Sequence, residues 1–395
     1  MKVLHISPSF YPASHYGGTI YSGYALCNAL AQIPGLQLRV LTTDSDGPTG
    51  GVRIPVKDFP SHLPEGYDVY YCPTKFGADI APRMFRLLWS MIHWADVVHL
   101  NAVYSPPTIP SLLFCKLQRK PVMWSTRGAL QRWDGSTRLL IKNAWNKLCN
   151  CLCDHGRVCL HVTSEAEQEE SVATITRADS AVIPNGIDLP SLNGHAHGRD
   201  ARATLNLLFL GRLHPIKGIE NLLQALPQTK QNVQLSICGE GEADYLQRLQ
   251  LLVSELSLTD SVHFHGRVQG AAKEEQFNQA DLCVVPSFKE NFCLVVTEAL
   301  ARGVPVIAST GTPWQEVETN RCGLWCSNEP AELARTIDLA AGMPLPEMGR
   351  RGRAWMESEY SWAGVARLMV ERYQMLIEWE GRSPQEIKKG LDGGA

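Results

Sequence analysis

The chain has 395 residues, of which 44% are apolar and 19% charged. At about 150 residues per domain, that length implies two to three domains with sizeable cores. The 37 Lys and Arg against 40 Asp and Glu leave a net charge of −3, which excludes the basic excess typical of a nucleic-acid-binding protein. No uncharged apolar stretch of about 18 residues occurs, so no membrane-spanning helix is expected. Met1 to Phe10 lacks the apolar core and small-residue cleavage site of a secretory signal, and the chain is expected in the cytoplasm.

In chain order, Lys2 to Ser7 is a short apolar run of the kind found in buried parallel strands. A loop from Pro8 to Thr19 carries Gly17-Gly18 and leads into a helical pattern, with Ile20, Ala25, Leu26 and Leu30 on one face. Pro34-Gly35 ends the helix, and Leu38 to Leu41 is the next strand, completing a βαβ unit. Val97 to Leu100, Val122 to Ser125 and Val158 to Val162 are further strands, separated by helical patterns. One of those patterns, Arg83 to Trp94, is apolar enough to be core or the wall of a binding site.

Leu189 to Ala203 is rich in Pro, Gly, Asn, His and Arg, and reads as an interdomain linker. The layout then repeats. Leu205 to Leu210 is a strand, Gly211 to Gly218 a loop, Ile219 to Leu226 a helix stopped by Pro227, and Val233 to Cys238 a strand. Leu282 to Val285 and Val304 to Ala308 are strands as well, and Trp355 to Trp379 is one long amphipathic pattern before a polar tail. The alternation predicts an α/β protein with two Rossmann-like domains built on parallel sheets. Their ligands are expected in a crevice at the carboxyl ends of the strands.

Twelve cysteines in a chain of this length do not make a disulfide scaffold. Cys149, Cys151, Cys153 and Cys159 cluster, but with single-residue gaps unlike those of zinc sites. Buried or surface thiols are expected, and no metal.

Three loops carry chemistry. Gly17-Gly18 opens a helix, where backbone N–H groups and the helix dipole favour an anion; the full dinucleotide fingerprint G-x-G-x-x-G is missing, which argues against an NAD-dependent dehydrogenase. Arg212 and Lys217 sit on a strand-to-helix loop that closes in Gly218, a fork and a point charge suited to phosphate oxygens. Pro286 to Val306 is a strand end, a loop with Glu290, a helix from about Phe292 to Arg302 with Glu298 on an apolar face, and Gly303. A half-buried carboxylate needs hydrogen-bond donors, and sugar hydroxyls are suitable ones. Asp44-Ser45-Asp46-Gly47 has the form of a metal-binding DxD motif but lies at a strand end, where it reads as a turn. Arg127 to Arg157 holds six cations against two carboxylates, interleaved with Leu139, Leu140, Ile141, Trp145 and Leu148. Such a helix is either a solvated face of its own domain or a contact for anionic membrane.

Glu290 and Glu298, followed by Ala299 and Gly303-Val304-Pro305-Val306, resemble the signature of family 4 retaining glycosyltransferases of the GT-B fold. Gly211-Arg212-Leu213 with Lys217-Gly218, Ile183 to Asp188, and Gly17-Gly18 resemble the same family in the same order, from Met1 to about Trp379. One departure is Asn291-Phe292-Cys293, where many members have Gly-Phe-Gly.

The resemblance implies an acceptor domain over 1–188, a donor domain over 204–360, facing each other across a central cleft, and a last helix over about 361–380 that crosses back to the first domain. It implies transfer of a hexosyl group, with UDP-glucose as first choice of donor, to a glycan or lipid-linked acceptor in exopolysaccharide or glycolipid biosynthesis, without metal or other cofactor. Arg212 and Lys217 would hold the diphosphate, Glu298 the ribose and Glu290 the hexose. The N–H groups of Asn291, Phe292, Cys293 and Leu294 would meet sugar and phosphate, Arg267 and Val268 would border the base, and Gly17 and Gly18 would approach the phosphates. Near the reacting carbon the candidates are Arg127 or the pair His99 and Asn101. A nucleotide-sugar epimerase or a non-catalytic nucleotide-sugar binder on the same fold are the alternatives.

Overall fold

The structure, a computed structural model, describes residues 1–13, 18–47, 53–56, 58–75, 80–131, 139–190 and 204–379. The chain divides into two units, one formed by 1–186 with 362–395, the other by 187–361.

The first unit carries an eight-stranded sheet. Its strands are β1 (Lys2–Ile6), β2 (Gln37–Thr43), β3 (Ser61–His62), β4 (Asp68–Cys72), β5 (Val97–Asn101), β6 (Val122–Ser125), β7 (Val158–Val162) and β8 (Asp179–Val182). Their spatial order is β3-β4-β2-β1-β5-β6-β7-β8. All neighbours are parallel except β3, which runs against β4. The chain winds outward from β1 in one direction and then from β5 in the other, so the order reverses between these two strands. In open α/β sheets that reversal opens a crevice at the carboxyl ends.

Helices α1 (Gly18–Ala31), α2 (Pro82–Trp94), α3 (Thr108–Leu117), α4 (Leu139–Leu152) and α5 (Glu165–Thr174) connect the strands. The strands are apolar at successive positions because both faces are covered. Leu4 points into a core with Met84, Leu88 and Ile92 of α2 and Leu112 of α3, whereas its neighbour Val3 points into a core with Leu26 and Leu30 of α1.

The second unit repeats the plan with six parallel strands: β9 (Leu205–Leu210), β10 (Val233–Cys238), β11 (Val262–Gly266), β12 (Leu282–Val285), β13 (Val306–Ser309) and β14 (Gly323–Cys326). Their order is β11-β10-β9-β12-β13-β14, with the reversal between β9 and β12. Its helices are α6 (Ile219–Ala225), α7 (Ala243–Glu255), α8 (Ala271–Gln279), α9 (Leu294–Ala301), α10 (Glu316–Thr319), α11 (Pro330–Ala341) and α12 (Leu345–Glu359). Leu207 and Leu208 again face opposite cores, one with Leu222 and Ile337, the other with Val296, Leu300 and Trp355.

The sequence from Trp355 to Trp379 is not one amphipathic helix. It breaks at Tyr360 and Ser361, after which α13 (Trp362–Trp379) begins. Tyr360 is held in an aromatic cluster with Trp314 and Trp355, at centroid distances of 5.5 and 5.4 Å. The chain leaves the second unit there, and α13 packs in the first, where Val365, Met369, Tyr373 and Leu376 join the core that contains Leu26 and Leu30.

Cys149 and Cys153 are fully buried in the core beside α2 and α3, while Cys151 is exposed on the other side of α4. Among the described residues no three His, Cys, Asp or Glu side chains are grouped so as to hold a metal, and no helix is long and apolar enough to cross a membrane. The sequence 191–203, the tail 381–395, Gly17, Arg132, Asp134 and Arg138 lie outside the described residues.

Candidate functional site

In the second unit the two loops at the sheet reversal are knitted together. β9 ends at Leu210, and Arg212 follows with its side chain exposed. His214 Nδ1 accepts from the N–H of Ile216 at 3.2 Å, which caps the short 3-10 turn Pro215–Lys217. Burial, then the neighbouring Arg212 charge, lowers the His214 pKa, which suits a neutral ring acting as acceptor. Gly218 follows at φ +64°, and a Cβ there would lie 2.1 Å from the carbonyl oxygen of Pro286. Only glycine allows both the left-handed turn and that approach. The N–H of Phe288 donates to Ile216 O at 2.8 Å, so the loop after β12 is bonded to the loop after β9.

That seam joins two of the expected site residues. Lys217 Nζ donates to Glu290 Oε1 at 2.5 Å, and Ser287 Oγ donates to the same oxygen at 2.7 Å. Both charged side chains are largely buried, with 22% and 12% exposure. The Glu290 N–H in turn donates to Gly311 O at 2.8 Å. The carboxylate is therefore fixed by backbone and side chain before the start of α9.

Asn291, Phe292 and Cys293 lead into α9, whose first turn has N–H groups without intrahelical acceptors. Phe292 is buried against Trp314, whose Nε1–H donates to Phe292 O. Cys293 stands just before the helix at φ +65°, ψ 73°. This left-handed geometry favours glycine, so Cys293 adopts the backbone turn for which a glycine is the ordinary residue. Burial, then the charge of Glu290, holds its thiol well above the usual cysteine range, so it is not a nucleophile.

Glu298 lies one turn beyond Leu294 on α9. Its Oε1 accepts from Lys273 Nζ of α8 at 2.7 Å. Arg302, at the end of α9, donates through Nη1 to Glu298 O and through Nε and Nη2 to both oxygens of Glu274. Arg267 is exposed just after β11, and Val268 is half-buried against the core under α9.

Arg127, His99, Asn101 and Gly18 belong to the first unit. Gly18 opens α1, exposed. Arg127 follows β6 at φ +53°, and its Nε and Nη1 donate to Asn101 Oδ1 at 3.2 Å and Asn185 Oδ1 at 2.5 Å. The strained turn is anchored from below by Glu167, a fully buried carboxylate. Its Oε1 accepts from Thr126 Oγ1 and the Gly128 N–H, and its Oε2 from Thr163 N–H and Oγ1. Desolvation pulls the Arg127 pKa below its ordinary value, with the Glu167 charge opposing; guanidinium nevertheless stays protonated.

Under Arg127 runs a chain of hydrogen bonds whose direction is set by one end. Ile183 O can only accept, so His161 Nε2, at 2.9 Å, donates to it. His161 Nδ1 then accepts from Ser125 Oγ at 2.6 Å, Ser125 accepts from His99 Nε2 at 2.6 Å, and His99 Nδ1 accepts from Tyr373 O–H at 2.5 Å. Each histidine is neutral with one assigned tautomer. Burial first, helped by the Arg127 charge, holds His161 at about 3, and burial likewise holds His99 far below its ordinary value. Both ring nitrogens of His99 are thus engaged inside the unit.

Asp44 follows β2, with Oδ1 accepting from the N–H and Oγ1 of Thr74, each at 2.8 Å. The acidic pair in 44–46 is accordingly a turn anchor at its first residue. On α4, Leu139, Leu140, Ile141 and Leu148 are exposed at 56, 85, 66 and 48%, whereas Trp145 Nε1 donates inward to Val103 O. Helix α2 buries Met84, Leu88, Met91 and Ile92, so its apolar face is core.

Lys273, Ser287 and Glu167 are not singled out by the sequence. Glu167 had a readable signal, since Ser164-Glu165-Ala166-Glu167 is a capping box, and Ser164 Oγ accepts from the Glu167 N–H. Lys273 is a lone cation in the polar run of α8, with its partner 25 residues away, and nothing local marks it.

Residues 16–190 match the family model described as Glycosyltransferase Family 4, and residues 202–351 match that described as Glycosyl transferases group 1. The chain belongs to the family 4 glycosyltransferases and has the GT-B fold. Among curated relatives, it is 33% identical over 189 residues to an uncharacterized glycosyltransferase of Methanocaldococcus jannaschii, covering 45% of this chain and 46% of that one. It is 30% identical over 237 residues to a D-inositol 3-phosphate glycosyltransferase of Streptomyces scabiei, covering 54% and 53%. The chain therefore spans about half the length of these relatives. In structure it is similar to sucrose-phosphate synthase from Thermosynechococcus elongatus, with a TM-score of 0.72, 23% identity and coverage of 96% and 99%. It is also similar to the Anabaena protein HepE in complex with UDP-glucose, with a TM-score of 0.68, 18% identity and coverage of 95% and 99%.

Proposed function

We propose that the protein is a retaining glycosyltransferase that moves a hexosyl group from a nucleotide-diphosphate sugar to a glycan or lipid-linked acceptor. The observation that carries this reading is the Lys217–Glu290 pair at the seam of two loops, beside the first turn of α9. A cation, a carboxylate and helix N–H groups together match a substrate with a diphosphate at one end and hydroxyls at the other.

The mechanism follows from where charge develops. As the bond from the sugar to the diphosphate breaks, the leaving group gains negative charge. Lys217, held by Glu290, and Arg212 beside it are cations that stabilise it more in the transition state than in the bound donor. The N–H groups of Phe292, Cys293 and Leu294 add dipoles at the same end. Glu290 accepts from hexose hydroxyls and fixes the ring's orientation, Glu298 accepts from the ribose hydroxyls, and Arg267 and Val268 border the base. With these cations in place no metal is required. Retention follows if the acceptor hydroxyl attacks on the leaving-group face, with its proton passing to a diphosphate oxygen. Arg127, aimed by Asn101 and Asn185 at the strand ends of the first unit, is the residue assigned to that side of the reaction.

UDP-glucose is the first choice of donor, supported by the similar fold of HepE, solved with UDP-glucose. The exposed apolar residues of α4 beside Lys142 and Lys147 support contact with an anionic membrane that presents a lipid-linked acceptor.

The test is to incubate the protein with UDP-glucose, UDP-galactose, UDP-GlcNAc and GDP-mannose and an acceptor panel, and to follow free nucleoside diphosphate. Acceptor-dependent release that falls sharply in Lys217→Ala supports the reading. Conversion of one nucleotide sugar into another without release, or wild-type turnover in Lys217→Ala and Glu298→Ala, refutes it.

A further inference from the structure

We infer that Lys273 is a positioning residue of the donor site, holding Glu298 by one oxygen so that the other is presented to the ribose of the nucleotide. The inference rests on the reading of Glu298 as a ribose-binding carboxylate.

Glu298 sits in the middle of α9 with its side chain 20% exposed, and Lys273 is 24% exposed. A carboxylate this far from water needs a charge-assisted donor. Two cations are within reach of it, and they divide the work. Arg302 follows it by one turn, but its Nε and Nη2 are closed on the two oxygens of Glu274, and its Nη1 donates to the Glu298 carbonyl. Lys273, one residue before Glu274 on α8, supplies the donor to the carboxylate itself, at Oε1.

The choice of residue type matters. A guanidinium would engage both carboxylate oxygens at once, whereas an ammonium is a point charge that binds one. Lysine therefore neutralises Glu298 and fixes its rotamer without closing the second oxygen, and a ribose offers vicinal hydroxyls to such an acceptor. The placement is also informative. Lys273 lies in the first turn of α8, which Gly270 opens two residues after Val268. It follows the loop assigned to the base in the chain, and its ammonium reaches the carboxylate assigned to the ribose.

If Lys273 acts in this way, its removal weakens recognition of the ribose hydroxyls in particular, and not binding of the diphosphate. The test uses UDP and 2′,3′-dideoxy-UDP, with GDP and 2′,3′-dideoxy-GDP in parallel, on wild type, Lys273→Met and Glu298→Gln, by calorimetry, with thermal unfolding of each variant. Wild type should prefer the ribonucleotide by one to two orders of magnitude, the size expected for hydrogen bonds to a charged acceptor. Lys273→Met should reduce that preference about tenfold while affinity for the dideoxynucleotide stays within twofold. In turnover, KM for the donor should rise about tenfold with kcat little changed.

A lowered unfolding temperature with an unchanged ribonucleotide preference would make Lys273 a structural ion-pair partner and overturn the inference. If Glu298→Gln loses the preference and Lys273→Met keeps it, the inference fails and the reading of Glu298 stands. If Glu298→Gln keeps the preference, the ribose assignment fails, and the inference with it.

Discussion

Lys217 and Glu290, 73 residues apart, meet at 2.5 Å, so the cation assigned to the diphosphate and the carboxylate assigned to the sugar are bonded to one another. Neither residue can be changed without altering the other. Removing the lysine takes the charged donor from a largely buried carboxylate that Ser287 also serves, and removing the glutamate frees the ammonium to swing.

Lys217→Ala should reduce kcat by about 10²- to 10³-fold, the size seen when one fixed donor to a developing anion is lost. The pair should not be additive, because residues in contact couple. Steady-state kinetics of Lys217→Ala, Glu290→Gln and the double variant check this. A double variant as slow as the product of the two single effects would show that the residues act independently.

Gly218→Ala should damage both stability and turnover. The new Cβ meets Pro286 O at 2.1 Å in a left-handed turn, and the rigid backbone on each side cannot yield. The expected cost is about 1–3 kcal/mol, read as a lower unfolding temperature. The loop that carries Lys217 should shift with it, so kcat falls as well. A variant that loses stability but keeps full kcat would uncouple the loop seam from catalysis.

Tyr373→Phe should cost about 1–3 kcal/mol, since it leaves the buried Nδ1 of His99 without its donor. Replacing Met369, an apolar neighbour on the same helix, by Leu should cost less than about 1.5 kcal/mol. Denaturant unfolding of the two variants provides the comparison.

Stability should fall on acidification below neutrality. His5 and His161 are held near 3 in the folded chain, against about 6.5 when unfolded. Above about pH 6.5 both states are neutral and the difference contributes nothing. Below it the unfolded chain binds protons that the native state refuses, so each histidine removes up to about 1.4 kcal/mol per pH unit, down to about pH 3. The unfolding temperature should be flat from pH 7 to 8 and drop steeply from 6 to 4.5. A flat profile to pH 4.5 would contradict the neutral assignment.

Chelation with EDTA should leave turnover within about twofold of its starting value, and Asp44→Ala should act on stability. Asp44 Oδ1 serves Thr74 N–H and Oγ1, and stranding those donors costs about 1–3 kcal/mol. Loss of activity on chelation, restored by Mg²⁺ or Mn²⁺, would refute the metal-independent mechanism.

Sequence reading reached the architecture because buried parallel strands leave a strong local mark. Leu205–Leu210 and Leu282–Val285 are apolar at nearly every position, as strands covered on both faces must be. Strands near the sheet edges were harder to see, since partial exposure dilutes the pattern. Asp179–Val182 and the exposed half of Val262–Gly266 look like polar loop. The break at Tyr360 was invisible, because it depends on an aromatic pocket built by Trp314 and Trp355. In the site, Arg212 and Lys217 could be read from a strand-to-helix loop closed by Gly218, whereas the roles of Glu290 and Glu298 came from the family resemblance. Lys273 could not be read, as its meaning comes entirely from where α8 lies against α9.

The two crossings of the chain between its units lie side by side. A Cβ added to Gly186 would fall 2.4 Å from the ring of Trp362, and the Ile187 N–H donates to Tyr360 O at 2.8 Å. Topologically the chain is a host interrupted by an insert: 187–361 is one continuous segment, and the host's severed ends already touch. Such a joint is well placed for recombination. A whole insert can be exchanged at one pair of neighbouring breakpoints without cutting through either core, which offers a simple genetic route for fitting one host with a different insert.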